Sequence, residues 1–294
     1  MGKPHHHHEI SADRPLFWAV AVNVLLTLVQ VGGGVIAGSL SLIADALHNL
    51  GDAAALGIAV FARKISRKPP DRFKTFGYKR AEMIAALINL TTLVIIGLYL
   101  IYEALWRFHQ PPEIRGWIVV GVAAAALLVD VVTAMLTYRL SRDSINIKAA
   151  FLHNVGDALS SVGVILAGTL IILYRWYWTD ALLTLIIAGY VLYQAASLLP
   201  QTIHILMEGV PDTVSVDRII GTVEALAQVE SVHHVHIWQL DEHRNALEAH
   251  IVVREKSLGD IEAIKRRIKQ HLREEYAIEH STLEIEVDGS GCCQ

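Results

Sequence analysis

A chain of 294 residues that is 53% hydrophobic, with a mean hydropathy of +0.41, is too apolar for an ordinary soluble protein of this length. Its formal net charge of −4 excludes no class of partner. The two cysteines, Cys292 and Cys293, are adjacent, which excludes a disulfide framework.

Residues 1–14 form a polar tail, in which His5 to His8 read equally well as an engineered tag or a native metal-scavenging segment. The apolar run that begins at Leu16 is too long for the core of a signal peptide, so no cleavable leader is expected. A helix needs roughly 20 mostly apolar residues to cross a bilayer. Six stretches qualify, at about 15–37, 40–62, 82–104, 115–138, 147–173 and 178–199, which predicts a six-helix transmembrane domain over 15–200. Trp18, Trp106, Trp117, Trp176 and Trp178 fall near the span ends, where interfacial anchors belong.

The loop between the second and third spans carries Arg63, Lys64, Arg67, Lys68, Arg72, Lys74, Lys79 and Arg80. The loop between the fourth and fifth adds Arg139, Arg142 and Lys148, against Arg107, Arg115 and Arg175 on the other side. Basic loops stay in the cytosol, so both termini are expected there. Residues 201–212 read as a linker. A cytosolic α+β domain follows over 213–288: a helix at 213–228, alternating strands at 232–240 and 246–254, a charged helix at 259–275 and a strand at 280–287. Helix-strand-strand-helix-strand makes a small two-layer sandwich. A short tail, 289–294, holds the cysteines, either as thiolate ligands or as a frayed end.

The phrase His-Asn-apolar-Gly-Asp occurs twice, as His48-Asn49-Leu50-Gly51-Asp52 and His153-Asn154-Val155-Gly156-Asp157, both inside predicted spans. Ionisable groups at membrane depth are costly and mark function by default. Residues four apart share a helix face, and imidazole with carboxylate suits Zn²⁺ in a tetrahedron. The second and fifth spans run antiparallel, so His48 is expected level with Asp157 and Asp52 with His153. Gly51 and Gly156 would let the two helices approach. Asp45, on the same face, fits a supporting or proton-path role or an inter-helix hydrogen bond. Asn23 and Gln30 read as packing polar groups.

These features resemble the cation diffusion facilitator family across nearly the whole chain: six spans, the paired His48/Asp52 and His153/Asp157, Phe76-Gly77 after a basic loop, and a His-rich cytosolic α+β domain. The resemblance implies a homodimer that exports Zn²⁺ from the cytosol in exchange for protons. His rather than Asp at positions 48 and 153 matches the zinc-type members. It also implies a cytosolic metal site at His233, His250, Glu284 and Glu286, the alternative being a merely polar sheet surface; of His234 and His236 on the same strand, one is expected to ligate and the other to pack, with His280 as a reserve ligand. Lys79, Arg80 and Glu208 match a salt-bridge network joining membrane and cytosolic parts, or form an ordinary interfacial charge band. On the second loop the family's additional metal site corresponds to Asp71, Lys74 and Tyr78, of which only Asp71 is a ligand type, so no metal is expected there.

The chemistry of the side chains supports exchange independently. An unperturbed His titrates at about 6.5 and must be neutral to ligate, so metal and protons compete for it. No phosphate-binding Gly-x-x-x-x-Gly-Lys loop is present to suggest nucleotide use. Two other functions fit the same features less well. A membrane-anchored metal sensor would not require six spans, and an intramembrane metalloenzyme would call for a His-Glu-x-x-His arrangement that is absent. The expected setting is a bacterial inner membrane; Cd²⁺ and Co²⁺ share the ligand preferences of Zn²⁺.

Overall fold

The computed structural model describes residues 13–140, 145–241, 244–254, 259 and 261–287. Six long helices come first: α1 (Asp13–Ala37), α2 (Leu40–Ser66), α3 (Ala81–His109), α4 (Gly116–Leu140), α5 (Ile145–Tyr174) and α6 (Trp178–Leu206). Among the described residues, α3, α6, Gly116–Met135 of α4 and Phe151–Tyr174 of α5 are long and apolar enough to cross a membrane. α1 supplies a shorter apolar stretch, Val24–Ala37. Four helices therefore meet this measure where six spans were expected. α2 carries Asp45, His48, Asn49 and Asp52 within two turns of an otherwise largely apolar helix. Side chains such as Ile95, Leu166 and Tyr193 remain largely exposed on the helices, an arrangement that lipid tolerates and water does not.

The chain divides into two compact units. One contains α1, α2 as far as Ile58, and residues 89–197; the other contains 59–88 and everything from Leu198 onward. The first is built around a core of small and branched residues that includes Leu42, Ala104, Val119, Ala123, Val164 and Ala188. Small residues are what membrane helices use for close approach. At one point this requirement is strict: a Cβ on Gly116 would stand 2.9 Å from the Gly168 carbonyl oxygen, so α4 and α5 touch almost backbone to backbone.

The turn from α1 to α2 is held from three sides. Gly38 has φ +74°, a conformation that only glycine adopts without strain. The guanidinium of Arg107 donates to the Gly38 carbonyl at 2.8 Å. Asp180, near the start of α6, accepts from Leu40 N (2.7 Å), Ser41 N (3.3 Å) and the Ser39 and Ser41 hydroxyls (2.6 Å each). A carboxylate thus satisfies the open N–H groups at the head of α2 and sits at the positive end of its dipole. α6 itself continues to Leu206 through Pro200, past the point where the last span was expected to close. Residues 201–206 of the expected linker are therefore helical.

In the second unit the expected order of elements appears as α7 (Val216–Glu224), β1 (Val229–Gln239), β2 (Asn245–Val253), α8 (Ile261–Tyr276) and β3 (Ile278–Val287). Ser215 caps α7 by accepting from Arg218 N, which sets its start three residues later than the apolar pattern suggested. β1 pairs antiparallel with β2, and β2 pairs parallel with β3. Alternation along the strands sorts the faces: Leu247, Ala249, Ile251 and Val253 turn to the core, where Ile219 and Val223 of α7 and Ile264, Ile268 and Leu272 of α8 cover them. The intervening residues, Glu248, His250 and Val252, lie on the opposite face.

Candidate metal centre

The structure brings the two His-x-x-x-Asp pairs together. Nε2 of His48 lies 3.8 Å from Asp52 Oδ2 and 3.6 Å from Asp157 Oδ1; Nε2 of His153 lies 3.3 Å from Asp52 Oδ2 and 3.5 Å from Asp157 Oδ2. Donors bound to zinc at its usual bond lengths stand about 3.3–3.6 Å apart on a tetrahedron, so three of the four separations match without adjustment. His48, Asp52 and Asp157 offer donor atoms all within 4.8 Å of one another. The His153 ring reaches both carboxylates from the far side, its centroid 6.1 Å from that of His48.

One atom stands out electrostatically. Asp52 Oδ2 is buried and, among the described residues, accepts no hydrogen bond, although Nε2 of each histidine stands within 3.8 Å of it. Buried oxygens without partners are rare. A cation between the two helices would satisfy this one.

The surroundings of the four include residues that sequence reasoning undervalued. Gln30 of α1, read as a packing group, is fully buried; it donates to Asp45 Oδ2 at 2.8 Å and accepts from Asn49 Nδ2 at 3.2 Å. Ser160 of α5 donates to Asp45 Oδ1 at 2.5 Å. Asp45 therefore makes the inter-helix hydrogen bonds, tying α1 and α5 to the helix that carries His48. Asp130 of α4 was missed altogether; it is buried and accepts from Ser161 at 3.0 Å. An acid inside an apolar span was signal enough to single it out.

The two motif glycines do not act as expected. A Cβ on Gly51 would meet Leu93 Cδ2 of α3 at 2.7 Å, and one on Gly156 would meet nothing within 4 Å. Gly51 makes room for a leucine of α3, and neither glycine serves an approach of α2 to α5.

In the loop between α2 and α3, Asp71 Oδ1 accepts from Phe73 N and Lys74 N at 2.8 Å each, and its Oδ2 accepts from the Tyr78 hydroxyl at 2.6 Å. The Tyr78 hydrogen bond, then those from the Lys74 and Phe73 amides, hold the Asp71 carboxyl below its ordinary value. The same contact pushes the Tyr78 phenol up. Asp71 thus works as a turn former. Arg80 Nη2 pairs with Glu208 Oε1 at 3.0 Å, while Lys79 makes no ion pair among the described residues.

On the outer face of the sheet, His233 lies opposite His250, and His250 opposite Glu284. Their donors converge with Glu286: His250 Nδ1–Glu286 Oε1 2.5 Å, His233 Nε2–Glu286 Oε2 3.5 Å, His250 Nε2–Glu284 Oε2 3.5 Å. His233, His250 and Glu286 meet the mutual-distance requirement for a shared ion. The pairing of β1 is irregular between His233 and His236, and His234 takes φ +51°. Simple alternation therefore fails there. His234 and His236 stack edge-on at 4.8 Å, and Val235 packs against the core. His280 lies against Phe76 instead, at 5.3 Å. The His5–His8 run and Cys292–Cys293 lie outside the described residues.

Comparison with known proteins matches residues 16–207 to the cation efflux transmembrane domain and 211–288 to the cation efflux protein cytoplasmic domain. The chain belongs to the cation diffusion facilitator family. It is similar to a cadmium, cobalt and zinc/H(+)-K(+) antiporter of Bacillus velezensis, 36% identical over 97% of this chain and 92% of the relative. It is also similar to the zinc transporter ZitB of Pectobacterium atrosepticum, 37% identical over 97% and 89%. A third relative is the metal cation efflux system protein CzcD of Cupriavidus metallidurans, 35% identical over 98% and 91%. This facilitator is thus an integral membrane protein for metal cation efflux, with a helical transmembrane domain and a C-terminal cytoplasmic domain. It is a transporter and not an enzyme.

Proposed function

We propose that the chain exports Zn²⁺, with Cd²⁺ and Co²⁺ as further cargo, in exchange for protons, one ion at a time through His48, Asp52, His153 and Asp157. The observation that carries this reading is the convergence of Nε2 of both histidines with the carboxylates of Asp52 and Asp157, at 3.3–3.8 Å. Two imidazoles and two carboxylates form a donor set of borderline softness that suits zinc and accommodates cadmium and cobalt, and the relatives' printed names include all three metals.

Each histidine must give up its proton to ligate, so a metal ion arriving from the cytosol displaces protons and protons arriving from the outside displace the metal. The two aspartates balance the charge of a divalent ion, which removes most of the cost of holding it among apolar helices. The hydrogen bonds of Gln30, Asn49 and Ser160 fix the rotation of α2, and so the directions of His48 and Asp52, through each exchange. The setting we infer is the bacterial inner membrane, with both termini in the cytosol and six spans that include α1 and α2. The cytoplasmic domains pair two copies as a homodimer, each holding zinc at His233, His250, Glu284 and Glu286. Deleting 201–294 then weakens dimerisation, as read by light scattering, and an unchanged dimer contradicts it.

Proteoliposomes loaded with a zinc dye and a pH dye test the transport reading. Coupled zinc accumulation and proton movement in the opposite direction are expected. Zinc movement that persists unchanged when the pH gradient is collapsed would refute the exchange, and zinc binding without any movement would favour a sensor.

A further inference from the structure

The loop between α2 and α3 concentrates positive charge, of which, among the described residues, only Arg80 is ion-paired, to Glu208. Residues 63–80 contain eight Lys and Arg against a single acid, Asp71, whose carboxylate is engaged by Phe73 N, Lys74 N and Tyr78. Two acids close by are also engaged: Glu82 accepts from Ser66, and Glu208 pairs with Arg80. Beside this loop lies a cavity of about 450 Å³, with Lys74, Lys79 and Arg80 on its lining together with Phe73, Phe76 and Trp238. Phe73 is 89% exposed, a poor state for a large aromatic ring in water and an ordinary one at a lipid interface.

Connectivity fixes where this cavity lies. The loop spans the fourteen positions between Ser66, the last residue of α2, and Ala81, the first of α3, so it stays at the membrane surface. Trp238 belongs to β1 of the segment matched as the cytoplasmic domain, which puts the cavity on the cytosolic side. Basic pockets at that level, walled by aromatic rings, have the chemistry to hold anionic headgroups.

We propose that this cavity seats the headgroup of an anionic phospholipid of the cytosolic leaflet, its phosphate meeting Lys74 and Lys79 while Phe73 and Phe76 lie along the glycerol and first acyl carbons. Arg80, neutralised by Glu208, shapes the wall. The loop is thereby anchored to the lipid. A free phosphate ion would satisfy the two lysines but leave the aromatic rings exposed, so the lipid is the better occupant.

The test is native mass spectrometry of the full-length chain released from detergent with equal amounts of phosphatidylglycerol and phosphatidylcholine. Phosphatidylglycerol is retained preferentially, and Lys74→Gln with Lys79→Gln reduces that preference by about fivefold for each lysine removed. Arg63→Gln with Lys64→Gln, which removes the same charge outside the cavity, leaves the preference largely intact. Equal losses in the two double variants, or no preference in the wild-type chain, overturn the proposal. So does displacement of the lipid by millimolar inorganic phosphate, which assigns the site to the free ion. If the lysine variant cannot be purified, the wild-type chain decides: phosphatidylglycerol brominated on its acyl chains quenches Trp238, read as the difference from Trp238→Phe, more strongly than brominated phosphatidylcholine. Equal quenching overturns it.

Discussion

In the helical cluster each histidine sits four residues from its aspartate, and the two pairs meet across antiparallel helices. On the sheet His233, His250 and Glu284 are instead aligned by strand register, with Glu286 two residues beyond Glu284. Both clusters contain two imidazoles and two carboxylates, yet their internal bookkeeping differs. His250 and Glu286 already share a 2.5 Å hydrogen bond. In the helices Asp52 Oδ2 is buried and, among the described residues, meets no hydrogen-bond geometry, with His153 Nε2 3.3 Å away. In the reading proposed above, the sheet cluster can rest without an ion while the helical one takes a cation between its paired imidazoles and carboxylates. The lesson is that the same donor composition arises from two backbone geometries, a four-residue helical interval and a strand register.

The largest expected effect follows directly. His48→Ala or Asp157→Ala lowers zinc flux in proteoliposomes by about 100-fold or more, since even partners outside the ligand set are worth 10–100-fold. Near-normal flux in either variant would break the contrast between the clusters. Glu286→Ala comes next: zinc affinity of the cytoplasmic domain, measured by calorimetry on the full chain, falls by about 10–100-fold while transport changes little. A collapse of transport in that variant would mean that the two clusters are not independent. Selectivity offers a finer probe. His48→Asp together with His153→Asp replaces nitrogen by oxygen donors, and competition assays then show a shift toward Mn²⁺; an unchanged zinc preference contradicts the ligand assignment.

The smallest effect concerns Asp71, whose carboxylate holds the turn through Phe73 N, Lys74 N and the Tyr78 hydroxyl. Its folded-state pKa is depressed, so its contribution to the loop is present above the unfolded value and is lost as pH falls through the folded one, below about pH 4. The protection factors of the Phe73 and Lys74 amides, corrected for intrinsic exchange, fall over that range, and Asp71→Asn removes the acid-side step. Tyr78 moves the other way: its raised pKa keeps the contact until pH rises past the ordinary tyrosine range. Protection factors flat across both ranges would show that the contact does not order the loop.

Periodicity made much of this legible. A four-residue interval on an apolar helix defines a face, and the repeat of His-Asn-apolar-Gly-Asp pointed to two helices meeting. The alternation of Leu247, Ala249, Ile251 and Val253 likewise announced β2. What stayed hidden depends on partners far away in the chain. Asp130 is explained by Ser161, 31 positions on, and Asp180 by Ser39, at a separation of 141; neither has a local pattern. The roles of Gly51 and Gly156 were misjudged because spacing tells which residues share a face, not which helix that face meets. The irregularity at His234 broke a strand alternation that looked regular on paper. The polar groups of α2 lower its mean hydropathy without hiding the span, because the stretch 40–62 remains long and mostly apolar around them.

Crystals of the full chain soaked with Zn²⁺ and measured on both sides of the zinc absorption edge test the central claim most directly. The account predicts an anomalous peak between α2 and α5, bound by His48, Asp52, His153 and Asp157 at about 2.0–2.2 Å. Zinc confined to the sheet cluster, with the four helical side chains turned away from one another, would contradict it.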